Sequence, residues 1–170
     1  HGTDITLVGK DPSFEPVISF SIQHSDAVTA VSESLKQDTY THFKTKKDIS
    51  VIPNFICLDK YKPTKGCARS AFAKESEKIV MHVSNFRKVK RVEDVVRIFR
   101  RVRSSIDAKL VLVGDGPAGT ALRRTYPEFV FAGMQTGDAL AGMYASADVF
   151  LFPSLSETFG NVILEALASG

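Results

Sequence analysis

Cysteine is scarce in this chain, which carries only Cys57 and Cys67 among its 170 residues. Their spacing fits neither a metal knuckle nor a redox pair, so the expectation is plain reduced thiols in a cytoplasmic protein. Long apolar runs are missing as well. None reaches the roughly 18 residues that a membrane-crossing helix needs, so no integral membrane segment is expected. No basic stretch leads into an apolar run with a small-residue cleavage site, so nothing points to secretion. The four histidines, His1, His24, His42 and His82, show no metal-ligand spacing, and the reading calls for no metal and no cofactor. There is no Walker loop and no G-x-G-x-x-G after a strand, and no hydrolytic constellation is defined.

What is present is an ordinary globular composition, 44% apolar and 24% charged, with a net charge of +3. The charge is uneven. From Arg87 to Arg103 there are eight Lys/Arg, opposed only by Glu93 and Asp94. Most of these belong to a solvated helix face. The cluster "FRKVKR" (86–91) falls before that helix, where a basic loop can meet an anion. A nucleic-acid partner would rest on the arginine-rich helix alone and is not expected.

Apolar periodicity alternates between short β-rich runs and longer helical ones. It predicts a helix over 14–24 behind a Ser13 cap, with Pro16 tolerated in its first turn. Strands follow over 27–31 and 49–54, separated by a helix capped by Ser32. Residues 58–77 are polar, lysine-rich and unpatterned, and read as a linker. The second half is more regular, with strands at 78–85, 108–113, 129–133 and 148–154. The helix after the first of these aligns Val92, Val95, Val96, Phe99, Val102 and Ile106 on one face for burial. This alternation predicts parallel βαβ units in an α/β, doubly wound sheet.

In such a sheet ligands bind outside the carboxyl ends of the strands. The segments there are "SNFRKVKR", "GDGP", "GMQ" and "PSLSETFGN". "GDGP" alone is a common turn. "ETFGN" is more pointed: Gly160 lets backbone approach a ligand, and the following helix start offers N–H groups and a positive dipole end to a phosphate. Arg87 and Lys90 are donors for the same anion. Glu165, in the otherwise apolar "NVILEALASG", lies one turn after Asn161 on the same face. An unpaired buried carboxylate is costly, so Glu165 must reach solvent, a cation or hydroxyl donors, and a ribose diol is one such partner. A plain salt bridge is the alternative. His82 reads as a core histidine and His24 and His42 as helix-end residues. His1, in "HGTD", is the one histidine placed like an active-site residue.

Glu157, seven intervening residues and Glu165, with "GDGP" and "LFPS" in order, resemble the E-x7-E signature of retaining GT-B glycosyltransferases of family 4. "HGTDITLVGKDPSF", "SDAVTAVSESL", "VIPNF" and "SNFRKVKRVEDVV" resemble the bacillithiol-pathway branch of that family, most closely up to Pro117. The resemblance implies Rossmann-like parallel sheets in both domains, each incomplete here. Residues 1–57 would be the end of the acceptor-side domain, 58–77 the linker, and 78–170 the start of the nucleotide-sugar domain. It implies transfer of N-acetylglucosamine from a UDP-sugar donor to a small-molecule acceptor, L-malate, without a metal. Family relatives that move another hexose to a lipid or polysaccharide, or a non-catalytic nucleotide-binding module, are the alternatives.

By the same resemblance His1, Lys90 and Glu157 are the catalytic set. Arg87, Lys90, Gly114, Glu157, Thr158, Phe159, Gly160, Asn161 and Glu165 bind the nucleotide sugar, and Thr3 lies on the acceptor side. Many family members place the phosphate arginine five residues before the lysine, where this chain has Asn85, so Arg87 is its substitute. The reading leaves room for a homo-oligomer, and the segment alone is expected to be inactive.

Overall fold

The computed structural model describes Ile5, Val8, residues 11–63 and residues 69–170. The chain divides into two compact units, His1–Phe55 with Glu157–Gly160, and Ile56–Ser156 with Asn161–Gly170.

The first unit holds α1 (Glu15–His24), β1 (Val28–Ala30), α2 (Glu33–Phe43) and β2 (Ile49–Val51). β1 and β2 pair in parallel with Val28 opposite Ile49, so β1–α2–β2 is the expected βαβ crossover. Ser32 caps α2 by accepting from the Leu35 N–H at 3.2 Å. Ala30, Leu35 and Ile49 form the local core. Pro16 does sit in the first turn of α1, but Ser13 is not its cap. Phe14 holds that position without a side-chain bond, because the Ser13 N–H and hydroxyl are both taken by Asp11 Oδ1.

The second unit is a four-stranded sheet in the order β5-β4-β3-β6. Its strands are β3 (Lys78–Val83), β4 (Ala108–Val113), β5 (Val130–Gly133) and β6 (Val149–Phe150), with α3 (Val92–Arg103), α4 (Gly119–Thr125) and α5 (Gly137–Ser146) between them and α6 (Asn161–Ala168) last. Every described pairing is parallel. β3 and β4 are buried on both faces, which is why they read as unbroken apolar runs. One face packs Val80, Leu110 and Leu112 against Val92, Val95, Val96 and Phe99 of α3 and Leu122 of α4. The other packs Ile79, Met81, Val83, Val111 and Val113 against Ala141, Met143 and Tyr144 of α5, with Tyr61. Helices cover both faces, as the alternation requires.

The amphipathic face of α3 ends sooner than its periodicity implies. Val102 and Ile106 are 37% and 45% exposed, since the helix stops at Arg103 and its last turn runs past the sheet. β6 is also shorter than its apolar run. Only Val149 and Phe150 pair with β3, and Pro153, lacking an N–H, cannot extend the ladder. Within 58–77, Tyr61 and Glu77 are buried, and Phe72 and Ala73 pack on the α5 side of the sheet.

Candidate functional site

The chain builds β3, β4 and β5 outward in one direction, then returns to lay β6 on the other side of β3. β3 and β6 therefore flank the point where strand order reverses, and in open α/β sheets ligands bind outside the carboxyl ends of the strands at such a point. The segments that follow these two strands are 84–91 and 151–160.

The two segments are tied together near the strands. His82 is completely buried on β3. Its Nδ1 lies 2.9 Å from the Leu151 carbonyl oxygen and its Nε2 lies 2.8 Å from Ser84 Oγ. A carbonyl can only accept, so Nδ1 carries the proton and Nε2 accepts from the Ser84 hydroxyl. Ser84 Oγ in turn accepts from the Phe86 N–H at 3.3 Å. Burial, with a smaller contribution from the nearby Lys90 charge, pushes the His82 pKa down to about 4. The ring is therefore a neutral structural link, in keeping with its reading as a core histidine. Farther out, the Leu155 N–H donates to the Val89 carbonyl at 3.3 Å.

"GDGP" belongs to the same edge for a steric reason. Gly114 and Gly116 have φ of +116° and +154°, and a Cβ at either would stand 1.9 Å from the carbonyl oxygen of Ser84 or Asn85. The glycines let the β4 turn press onto the β3 segment, so this turn has a packing role whatever else it does.

Lys90 ends a short 3-10 turn, Lys88–Lys90, and Arg91 then adopts a left-handed conformation, φ 53°, to start α3. Lys90 is half-buried and Arg87 exposed. Arg87 also lines a cavity of about 610 Å³ floored by Phe86, Val92, Pro117 and Leu122. Lys90, Gly114 and Glu165 do not line it. Among the arginines of α3, Arg97 pairs with Asp94. Arg100 pairs with Glu128 and lies over the rings of Tyr126 and Phe129. These two arginines make contacts within the fold.

Asn161 opens α6 and is exposed, while Glu165, one turn later, is half-buried. Val162 and Ala166 pack on the cluster that contains Tyr61 and Tyr144, which turns Glu165 toward the same two rings. The rings meet edge to face with centroids 5.9 Å apart. Burial first, then the approach of Glu165, pushes the Tyr61 hydroxyl up to about 12. The same two causes raise Tyr144 further. Tyr144 Oη is buried without a partner of hydrogen-bonding geometry, so its contact with Glu165 is a near approach and not a formed bond. Glu165 thus faces hydroxyl donors from the protein itself. Sequence reasoning missed both tyrosines. Tyr61 lay in an unpatterned stretch, and Tyr144 looked like any core aromatic of α5.

Glu157, Thr158, Phe159 and Gly160 are the residues that group with the first unit. Glu157 and Thr158 are exposed, Phe159 is half-buried, and Gly160 is buried with φ 83°, a conformation that favours glycine. His1 and Thr3 lie outside the described residues. Among the described residues no three His, Cys, Asp or Glu side chains gather, and no helix is long and apolar enough to cross a membrane.

Residues 77–170 match the family "Glycosyl transferases group 1". The chain is 44% identical, over its whole length, to N-acetyl-alpha-D-glucosaminyl L-malate synthase of Bacillus anthracis, of which it covers 46%. It is 40% identical over 95 residues to a GDP-mannose-dependent alpha-mannosyltransferase of Corynebacterium glutamicum, covering 56% of this chain and 22% of that one. The crystal structure of Anabaena HepE in complex with UDP-glucose superposes with a TM-score of 0.76 at 18% identity, over 92% of this chain and 46% of that one. The chain spans less than half the length of these curated relatives. The fold is that of the α/β, parallel-sheet GT-B glycosyltransferases. With the family match covering more than half of its 170 residues, the chain belongs to the group 1 glycosyl transferases.

Proposed function

We propose that this chain is part of a cytoplasmic, retaining glycosyltransferase that moves N-acetylglucosamine from UDP-N-acetylglucosamine to L-malate. The observation that carries this reading is the 44% identity, over the whole chain, to an N-acetyl-alpha-D-glucosaminyl L-malate synthase. Residues 1–57 would contribute to the acceptor side and 78–170 to the nucleotide-sugar domain, with 58–77 joining them.

In this reading Glu165 accepts from the ribose hydroxyls, and the start of α6 at Asn161 presents N–H groups to the diphosphate. Lys90, with Arg87, balances the charge that grows on the departing diphosphate. Glu157 meets the donor sugar, and the amides of Thr158, Phe159 and Gly160, beside Gly114, complete the pocket. His1 faces the sugar and Thr3 the acceptor. The malate hydroxyl oxygen bonds to the anomeric carbon on the face from which the diphosphate leaves. The carbon–oxygen bond to the diphosphate breaks, and the hydroxyl proton passes to the leaving phosphate oxygen. Retention follows without a protein nucleophile.

Calorimetry with UDP on the intact protein tests the ribose role. Glu165→Ala should weaken UDP about tenfold or more, the cost of a lost charge-assisted hydrogen bond; unchanged affinity would remove that role. UDP release from UDP-N-acetylglucosamine that depends on malate tests the acceptor. The identity to a GDP-mannose-dependent enzyme favours a second reading, transfer of another hexose, with a lipid or polysaccharide as the acceptor. Release that ignores malate would select it. Binding without turnover would leave a nucleotide-binding module.

A further inference from the structure

We propose that Phe152 is a positioning residue for Lys90, its ring holding the ammonium where the leaving diphosphate gathers charge. This rests on the reading of Lys90 given above. Lys90 has a fixed backbone: its N–H donates to the Arg87 carbonyl at 2.9 Å, and the next residue donates to Lys88 at 3.1 Å. Its four-carbon side chain is not fixed by that turn, and such a chain carries about 2 kcal/mol of rotamer entropy. The ammonium lies 5.4 Å from the centroid of the Phe152 ring, within the range at which the negative face of an aromatic ring attracts a cation.

Phe152 is itself packed against two further rings. Its ring stacks on His82 at 5.6 Å with the planes 23° apart, and on Phe150 at 5.6 Å and 15°. His82 is held at both nitrogens, by Leu151 and Ser84, and Leu151 N–H donates to Met81 at 2.8 Å. A column of contacts thus runs from the buried imidazole through Phe152 to the ammonium. It links the segment after β3, which carries Lys90, to the segment after β6. An aliphatic side chain at 152 would fill the same space but present no negative face. Its loss would remove that contact from the ordering of Lys90, and preorganised charge is what makes such groups effective.

The column is tested on the intact protein by UDP and uridine affinities and by kcat. Phe152→Leu should weaken UDP several-fold, within the range of one cation–π contact, and lower kcat, while uridine binding stays as in wild type. Phe152→Tyr should retain UDP affinity. Phenylalanines with one, two and three ring fluorines at 152 keep the shape and weaken the ring's negative face step by step, so UDP affinity should fall in the same order. These variants answer the question even where Phe152→Leu fails to fold. Fluorinated proteins that bind UDP like wild type, or a Leu effect shared equally by uridine, would overturn the proposal. Lys90→Ala serves as the reference. If it leaves UDP affinity unchanged, the diphosphate role of Lys90 fails and the positioning role falls with it. If it weakens UDP while the fluorine series is flat, the positioning role alone fails.

Discussion

The two ends of the four-stranded sheet treat their charges in opposite ways. At the amino end Asp148 accepts from the Ile79 N–H at 2.8 Å, from Arg69 at 2.9 Å and from Lys78 at 3.2 Å. Burial pushes the Asp148 carboxyl up, but these bonds outweigh it and hold it below its usual range. Glu77, beside it in the fold, accepts from the Lys74 N–H at 2.7 Å and pairs with Lys109 at 3.1 Å. Each carboxylate there is saturated by donors of the fold. At the carboxyl end the ammonium of Lys90 lies over an aromatic face, and the Glu165 carboxylate faces the phenols of Tyr61 and Tyr144, the second of which is buried without a hydrogen-bond partner. An edge that satisfies its charges stabilises the sheet. An edge that turns its charges toward rings and hydroxyls leaves them exchangeable for a ligand, at a cost in stability.

Substitutions should separate the two ends, and the largest effect belongs to the amino end. Asp148→Ala strands the buried Ile79 N–H and takes a carboxylate partner from Arg69 and Lys78, and should cost about 4 kcal/mol, read as a lower urea midpoint. UDP affinity of the folded fraction should not change. A loss of UDP affinity with stability intact would erase the distinction between the edges.

Next in size is the acid response of His82. Its folded pKa, about 4, lies below the ordinary 6.5 because burial disfavours the imidazolium. The unfolded chain therefore takes up the proton first as pH falls. The stabilising contribution is complete above about pH 6.5 and is lost toward pH 4, on the order of 3 kcal/mol. Denaturation midpoints measured across that window should slope downward with acid, and His82→Gln should flatten the slope. A slope unchanged in His82→Gln would assign it to another group.

Much of this architecture was legible in the sequence because it depends on burial. β3 and β4 are apolar throughout as both their faces are covered, and α3 shows its inner face through Val92, Val95, Val96 and Phe99. His82 was legible as a core residue from its place inside a strand. What periodicity does not encode is where a face runs out, hence Val102 and Ile106, or how many residues of an apolar run find a partner strand, hence β6. The loops of the candidate site could be listed from the sequence because loop chemistry is local, whereas the strand order that sets β6 beside β3 is not. The supports of the site were not legible. Tyr61 and Glu165 are brought together only by the closing of the second unit, and the stack of His82, Phe152 and Lys90 joins three separate segments.

Glu165→Gln should act in the sense opposite to Asp148→Ala. It removes the charge that raises both phenols and keeps an oxygen that can accept from them. Stability should stay within about 1 kcal/mol of wild type, while UDP affinity falls. A large loss of stability would mean that Glu165 belongs to the structural class of carboxylates after all.

The smallest effect is expected at Tyr144, and it probes the cost of the carboxyl edge directly. Tyr144 Oη is buried and has no hydrogen-bond partner of good geometry, so its hydroxyl has given up water without a full replacement. Tyr144→Phe keeps the ring that packs against Tyr61 and Phe150 and deletes only that group. Removing an unbonded buried hydroxyl should be neutral or stabilising by up to about 1 kcal/mol. The same deletion takes a donor away from Glu165, so UDP affinity should change by less than in Glu165→Gln. Denaturation and UDP titration of Tyr144→Phe in parallel decide the matter. A clear loss of stability would show that the hydroxyl is bonded in solution. The carboxyl edge would then be as well satisfied as the amino edge, and the contrast between them would lie in the ligand alone.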